Sequence, residues 1–189
     1  MGPFRPDIVD VWMFRIRPEP GAGRSTGEGR STGEGRSTGA GSAARIEFLM
    51  LRRAQGDAVL PGLWQGVSGG LEPGESSIAA AMRELSEETG FGPDSIEHLY
   101  HLDQINQFLG PAADGILTAA VFAARIKPDA DPEISNEHDA MRWVSADEAM
   151  ELAVWPDYRE SIRRILENLL DPDRSIWFEL TVGGDRVKP

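Results

Sequence analysis

GGLEPGESSIAAAMRELSEETGF, residues 69–91, runs from a glycine turn through Glu75 into a helix that carries Arg83, Glu84, Glu87 and Glu88 and stops at Gly90. At 100° per residue, Met82, Leu85 and Thr89 fall within about 40° of Ile78, whereas Glu84, Glu87 and Glu88 occupy another sector, spread over about 100°. One helix thus has an apolar stripe for a core and a carboxylate stripe for something else. Two unit charges ~5 Å apart repel by about 3 kcal/mol at an effective dielectric of ~20. A solvated surface relieves this by splaying and screening the acids. A site that holds them together needs a cation, and hard oxygen donors suit Mg²⁺ or Mn²⁺. The glycine-rich lead-in favours the site, because an ordinary surface helix has no need of it. Gly69 and Gly70 let backbone approach a ligand closely. Ser76 or Ser77 suits the helix start, and Gly90 followed by Phe91 suits a left-handed stop with an apolar clasp.

The same residues resemble the signature of the Nudix hydrolases, G-x5-E-x7-R-E-U-x-E-E-x-G-U, where U is bulky and apolar. Gly69, Glu75, Arg83, Glu84, Leu85, Glu87, Glu88, Gly90 and Phe91 meet every fixed position without a gap. Outside the box, LWQGVSGGLEPGES and EHDAMRWV are similar to the bacterial dihydroneopterin triphosphate (dATP-type) pyrophosphohydrolase branch. The resemblance covers residues 5–17 and 45–170. It implies an α/β fold, an α/β/α sandwich around a mixed β-sheet, and hydrolysis of a diphosphate bond in a nucleoside diphosphate derivative.

Composition sets bounds on this. The chain has 189 residues, 40% of them apolar, and a net charge of −12. That length suits a single domain with a real core. The charge argues against a nucleic-acid polymer as the main ligand, although metal ions can still bring a small phosphorylated molecule to an acidic protein. No cysteine is present, which removes disulfides, thiolate zinc sites and cysteine nucleophiles and disfavours the cysteine-using isomerases of the implied fold. No apolar run approaches ~18 residues, and the N-terminus lacks a signal-peptide pattern. A cytoplasmic chain with no membrane contact is the expectation.

In chain order, residues 7–17 and 45–53 read as two strands of a hairpin. Between them GRSTGE occurs at 23–28 and 29–34 and recurs as GRSTGA at 35–40. With no apolar residue to stack inward, residues 18–43 read as a disordered, linker-like insertion into the domain formed by 1–17 and 44–170. Residues 60–68 contain a turn and a short extended piece. Residues 96–108 read as turn, strand and then a polar loop, Asp103–Phe108, bordering a pocket. Residues 116–126 form a long core strand and 141–144 a short one. Ser145 caps a helix over 146–153, and Pro156 opens another to about Leu170 with Tyr158, Ile162, Ile165, Leu166 and Leu169 on its apolar face. SIWFELTV in the 171–189 tail is strand-like, and an edge strand or a subunit contact in a homodimer are both open.

The resemblance assigns roles. Glu84 and Glu88 are first ligands for Mg²⁺ or Mn²⁺, with the Gly69 carbonyl beside them. Glu87 is a further ligand or the carboxylate that orders the attacking water, and Arg83 holds Glu87 in place. Glu75 steadies the turn or reaches the metal through water. Glu137, in the pair Glu137-His138, joins the metal set. Apart from the resemblance, guanidinium groups match phosphate oxygens and strand neighbours point to opposite faces, so one of Arg52 and Arg53 is expected to face the substrate phosphates. Ser68 is a phosphate or ribose contact, and Trp64 is either core or a platform for a base. The implied enzyme is a Mg²⁺-dependent pyrophosphohydrolase for a nucleoside or pterin triphosphate. ADP-ribose, dinucleoside polyphosphates or oxidised nucleotides are the alternative substrates, and a non-catalytic nucleotide-binding module is the alternative of a different class.

Overall fold

The computed structural model describes residues 5–18, 44–110 and 114–180. Most of the repeat insertion and the end of the tail, Thr181 and Val182 included, lie outside the described residues. β1 (Ile8–Pro18) and β2 (Ala44–Arg53) pair antiparallel from Met13↔Leu49 to Pro18↔Ala44, the hairpin expected from their patterns. Both strands are apolar on both faces, as strands covered by two layers must be. Val9, Val11, Met13, Leu49 and Leu51 serve one core, and Trp12, Phe14, Phe48 and Met50 the other.

β3 (Trp64–Gln65) lies against β2, and β4 (Val67–Gly70) pairs with the first half of β1. β5 (Ile96–Gly110) and β6 (Gly115–Ile126) form a long antiparallel pair, and β6 runs parallel to β1. β7 (His138–Val144) borders β2, and β8 (Glu179–Leu180) borders β5. The result, among the described residues, is one mixed sheet ordered β3-β2-β1-β6-β5-β8, with β4 on β1 and β7 on β2.

α1 (Ser77–Thr89) covers the first face, burying Ala80, Ala81 and Leu85. Ser76 is its cap, accepting from the Ala79 N–H at 3.2 Å, and Gly90 ends it at φ 70°. α2 (Ala146–Leu152), capped by Ser145, and α3 (Pro156–Arg164) cover the second face. α3 continues as a π-helical turn, Ile165–Leu169, so Tyr158, Ile162, Ile165 and Leu169 all reach the core around Trp12 and Tyr100. A short α4 (Pro172–Ser175) follows. This is the expected α/β/α sandwich.

One expectation is corrected and one open alternative is met. Asp103–Phe108 is strand and not loop: β5 runs through it, bent where Asp103 takes φ 48° and the register shifts. Its alternation is inverted, with Asn106 buried and Ile105 exposed, so the polarity suggested a loop. In the tail, Ser175 ends α4, and among the described residues Glu179–Leu180 are strand on the outer edge of β5, the edge-strand alternative.

The β1–β2 register closes at Pro18↔Ala44. Replacing residues 19–43 with a ~4-residue turn removes between two and three doublings of loop length, about 1–2 kcal/mol of closure entropy. The melting temperature should rise by about 2–8 °C, measured by thermal unfolding. A fall would show that the insertion packs on the domain.

Candidate active site

Arg83 organises the turn in front of α1. Its Nε and Nη2 donate to the two Glu75 oxygens at 3.1 and 3.0 Å, and Nη2 also donates to the Gly70 carbonyl at 2.8 Å. Nη1 donates to Glu84 at 2.7 Å and to Glu87 at 3.1 Å. These partners, Glu75 first, hold the guanidinium above its ordinary pKa. The bonds from Arg83 and the Glu72 N–H pull Glu75 below its usual range. Burial outweighs the same arginine at Glu84 and raises its carboxyl. Glu84 lies so close to Gly69 that a Cβ there would overlap its carboxyl, so a glycine is needed to keep the carboxyl in this position. The Glu87 side chain is 60% exposed.

Glu88 differs from the other acids. On the helical wheel it flanks the apolar stripe beside Ala81, and it is 2% exposed. Oε1 accepts from the Ser68 N–H at 3.3 Å. Oε2 lies 3.5 Å from Nε2 of His138 without a hydrogen bond, which leaves it and both His138 ring nitrogens without a hydrogen-bond partner among the described residues. Burial, then the nearby carboxylate of Glu137, push Glu88 up to about 8. Burial and Arg53 push His138 down to about 4, so the ring is neutral. Glu137 itself is exposed, and its charge acts on both Glu84 and Glu88. Its loop is tied to the end of α1 by Glu133 N–H to Thr89 O at 2.9 Å and Ser135 N–H to Glu88 O at 3.1 Å.

The two arginines of β2 part company. Arg53 shares the α1 side with Leu51, lines the cleft beside Gly69 and Gly70, and is held by Asp57 and the Val59 carbonyl. Arg52 points to the other side, bonded to Asp139 at 2.6 Å and with its guanidinium 5.7 Å from the Trp64 ring. Trp64 is half-buried against the second core and does not line the cleft. Ser68 does line it, and its hydroxyl bonds Asp10. The cleft, about 250 Å³, continues past Asp10 to Phe108, Trp155 and Tyr158.

Residues 40–165 match the family profile described as the NUDIX domain. The chain is a Nudix hydrolase. An octanoyltransferase of Myxococcus xanthus is 38% identical over 104 residues, a match spanning 54% of this chain and 28% of that protein. An asymmetrical bis(5'-nucleosyl)-tetraphosphatase of Sus scrofa is 31% identical over 115 residues, 60% of this chain and 74% of that one. Among solved structures, the dihydroneopterin triphosphate pyrophosphohydrolase of E. coli superposes with a TM-score of 0.55 at 20% identity, covering 84% of this chain and 97% of that chain. At that identity the likeness is one of fold.

Nudix hydrolases generally use divalent metal ions, and the residues of this Nudix box fit one. Glu88 keeps an orphaned buried oxygen, Gly69 leaves the space in which the Glu84 carboxyl sits, and the donors are hard oxygens. Among the described residues, no three acidic or histidine side chains form a ready-made cage. Reading the sequence alone missed Asp10, Gln65, Trp155 and Tyr158 at this Nudix cleft, while the stretch it set at a pocket's border, Asp103–Phe108, does supply Phe108. Asp10 carried a usable signal: it is the one acid inside IVDVWMF, and its parity with Trp12 and Phe14 turns it inward.

The two shifts have opposite signs. His138, depressed from 6.5, costs stability as pH falls below 6.5. Glu88, raised from 4.5, costs stability as pH rises from 4.5 through about 8. Above pH 6.5 His138 no longer offsets Glu88, and the raised carboxyls of Asp10 and Glu84 act in the same direction as Glu88. Chelator-treated protein should therefore lose about 1–2 kcal/mol to Glu88 between pH 6.5 and 8 in denaturant titrations, and Glu88→Gln should reduce the loss by that amount. Gly69→Ala should fold but displace Glu84, with loss of any hydrolytic activity by at least about tenfold in steady-state assays.

Proposed function

We propose that this chain is a Mg²⁺- or Mn²⁺-dependent pyrophosphohydrolase of a nucleoside or pterin triphosphate, releasing pyrophosphate. Residues 1–17 and 44–170 act as one Nudix domain interrupted by the 18–43 insertion, in the cytoplasm. The observation that carries this reading is adjacency. The Arg83-bound carboxylates, the buried Glu88 and the aromatic cleft all meet at Gly69 and Gly70, the end of β4. A small nucleotide suits that cleft better than a nucleic-acid polymer, which a chain of net charge −12 repels.

Glu84 and Glu88, with Glu137 and the Gly69 carbonyl, would hold the cation. When bound it neutralises the polyphosphate and makes water a better nucleophile. The exposed Glu87 carboxylate, tethered by Arg83, accepts a hydrogen bond from the attacking water and aims it at phosphorus. Arg83 is a positioning residue, since its N–H groups are spent on Glu75, Glu84, Glu87 and Gly70. Arg53 brings a guanidinium to the phosphates, and the neutral His138 closes the buried side of Glu88. Arg52 and Trp64, outside the cleft, take no part in this assignment.

The Sus scrofa relative favours a second reading, a dinucleoside polyphosphate as substrate. Purified protein with Mg²⁺ or Mn²⁺ and a panel of triphosphates and dinucleoside polyphosphates should hydrolyse at least one, with products resolved by chromatography. Pyrophosphate release from a triphosphate supports the first reading, and release of a nucleoside triphosphate from a dinucleotide the second. Glu88→Gln should lower kcat by about 10²-fold or more. No turnover of any diphosphate compound with either metal refutes both.

A further inference from the structure

Beyond the Nudix box, the far end of the cleft carries polar groups that hydrolysis does not use. Asp10 is 4% exposed on β1 and opens onto this cleft and onto a second one of about 210 Å³ continuous with it. Asn106 donates from Nδ2 to Asp10 Oδ2 at 2.8 Å, and the Ser68 hydroxyl is its other side-chain partner. The orientation of Asn106 is fixed, because its Oδ1 already accepts from Gln104 Nε2 at 2.7 Å. A carboxylate has about four acceptor positions, so Asp10 retains capacity for further donors. Two more donors would also favour its charged form against the burial that raises its pKa.

Gln65 lines the same cleft from β3. It is 3% exposed, and its Nε2 has no hydrogen-bond partner among the described residues. A buried amide donor left unmet is costly in a folded protein, and Gln65 Nε2, itself closed off from solvent just behind the cleft wall, meets an acceptor once its side chain turns into the cleft. Above these groups Phe108 and Trp155 stand nearly parallel, 22° apart with centroids at 6.3 Å, both partly exposed. Tyr158 backs Trp155 at 5.0 Å. A flat heteroaromatic ring gains by stacking on such a surface whatever its identity, so the stack provides grip and the polar groups must provide choice.

We propose that this cleft is a base subsite for the 2-amino-4-oxopyrimidine edge shared by guanine and pterins, with Asp10 accepting the ring N–H and the amino group and Gln65 Nε2 donating to the oxo oxygen. With the Gln65 amide turned inward, the cleft offers the two acceptor oxygens of Asp10 and one donor, which is the complement of that edge. Adenine reverses it: a ring nitrogen lone pair would face the Asp10 carboxylate, and an amino group would face Gln65. Each is a repulsive pairing, and rejection by unpaired buried groups is stronger than rejection by a missing methylene. This inference deepens the proposed function. It rests on that reading for the placement of the phosphates at the box, while recognition of the base stands apart from cleavage.

Calorimetric titration of the full chain with Mg²⁺ separates the two. Guanosine monophosphate and neopterin should each bind at least about tenfold more tightly than adenosine monophosphate, and whichever of the two binds better names the source of the edge. Asp10→Asn, which keeps size and the contact with Asn106, should bring the guanine-to-adenine ratio to within about twofold. Gln65→Met should lower affinity for guanosine monophosphate several-fold without lowering the melting temperature, because the amide it removes has no partner to lose. Equal affinity of the wild type for the guanine and adenine monophosphates overturns the subsite. So does an Asp10→Asn variant that weakens both alike, or a Gln65→Met variant that melts earlier with its preference intact. Selective binding with no hydrolysis of any triphosphate leaves the subsite standing and removes the proposed reaction. Hydrolysis with equal kcat/KM for guanine, pterin and adenine triphosphates removes the subsite alone.

Discussion

One guanidinium makes the acidic helix tolerable. Arg83 directs its N–H groups to Glu75, Glu84, Glu87 and the Gly70 carbonyl. Carboxylates separated by a turn of helix would otherwise drive one another into solvent. The planar fork of an arginine can satisfy several oxygens at fixed angles, which the single ammonium of a lysine cannot. The bond to Gly70 also fastens the end of β4 to the helix. Strand and helix are thereby locked at the point where the backbone comes closest to Glu84.

The helix is shared between core and site. Ala80, Ala81 and Leu85 seal the first face of the sheet, and Glu88, one step round the same surface, is drawn into the protein with them. That placement gives Glu88 a dry environment and a neutral histidine for a neighbour. The segment after β6 then clips its backbone to the last turn of α1 through Glu133 and Ser135. Glu137 therefore stands near Glu84 and Glu88 by virtue of main-chain bonds several residues earlier, and its exposed side chain remains free to move.

Much of this was legible from residue pattern. The strands of β1, β2 and β6, the caps Ser76 and Ser145 and the stop at Gly90 follow from local rules of burial and termination, and the structure agrees with them. The carboxylates of the box could be grouped by angle alone. Glu88 was the exception, because a wheel shows direction but not how deeply a neighbouring strand presses in. Strand parity could not decide between Arg52 and Arg53, since both faces of β2 are covered. β5 defeated the reading for a related reason: its polar residues turn inward, against the usual pattern, and Asp103 bends it. Gln65, Asn106 and Trp155 come from three distant segments, and no spacing in one chain announces that they meet.

The strand β1 has two ends with different obligations. Asp10 lies opposite Ser68 at the cleft, whereas Pro18, where β1 ends ahead of the repeats, is eight residues further on, about 26 Å along an extended strand. Tandem hexapeptides of this kind lengthen or shorten easily when their coding sequence is copied. Here each gain or loss would be absorbed at the end of the hairpin remote from the chemistry. Such a junction also suits the laboratory: a fluorophore, an affinity handle or a whole second domain can be spliced in there, leaving the opposite end of the barrel-less sheet open to substrate.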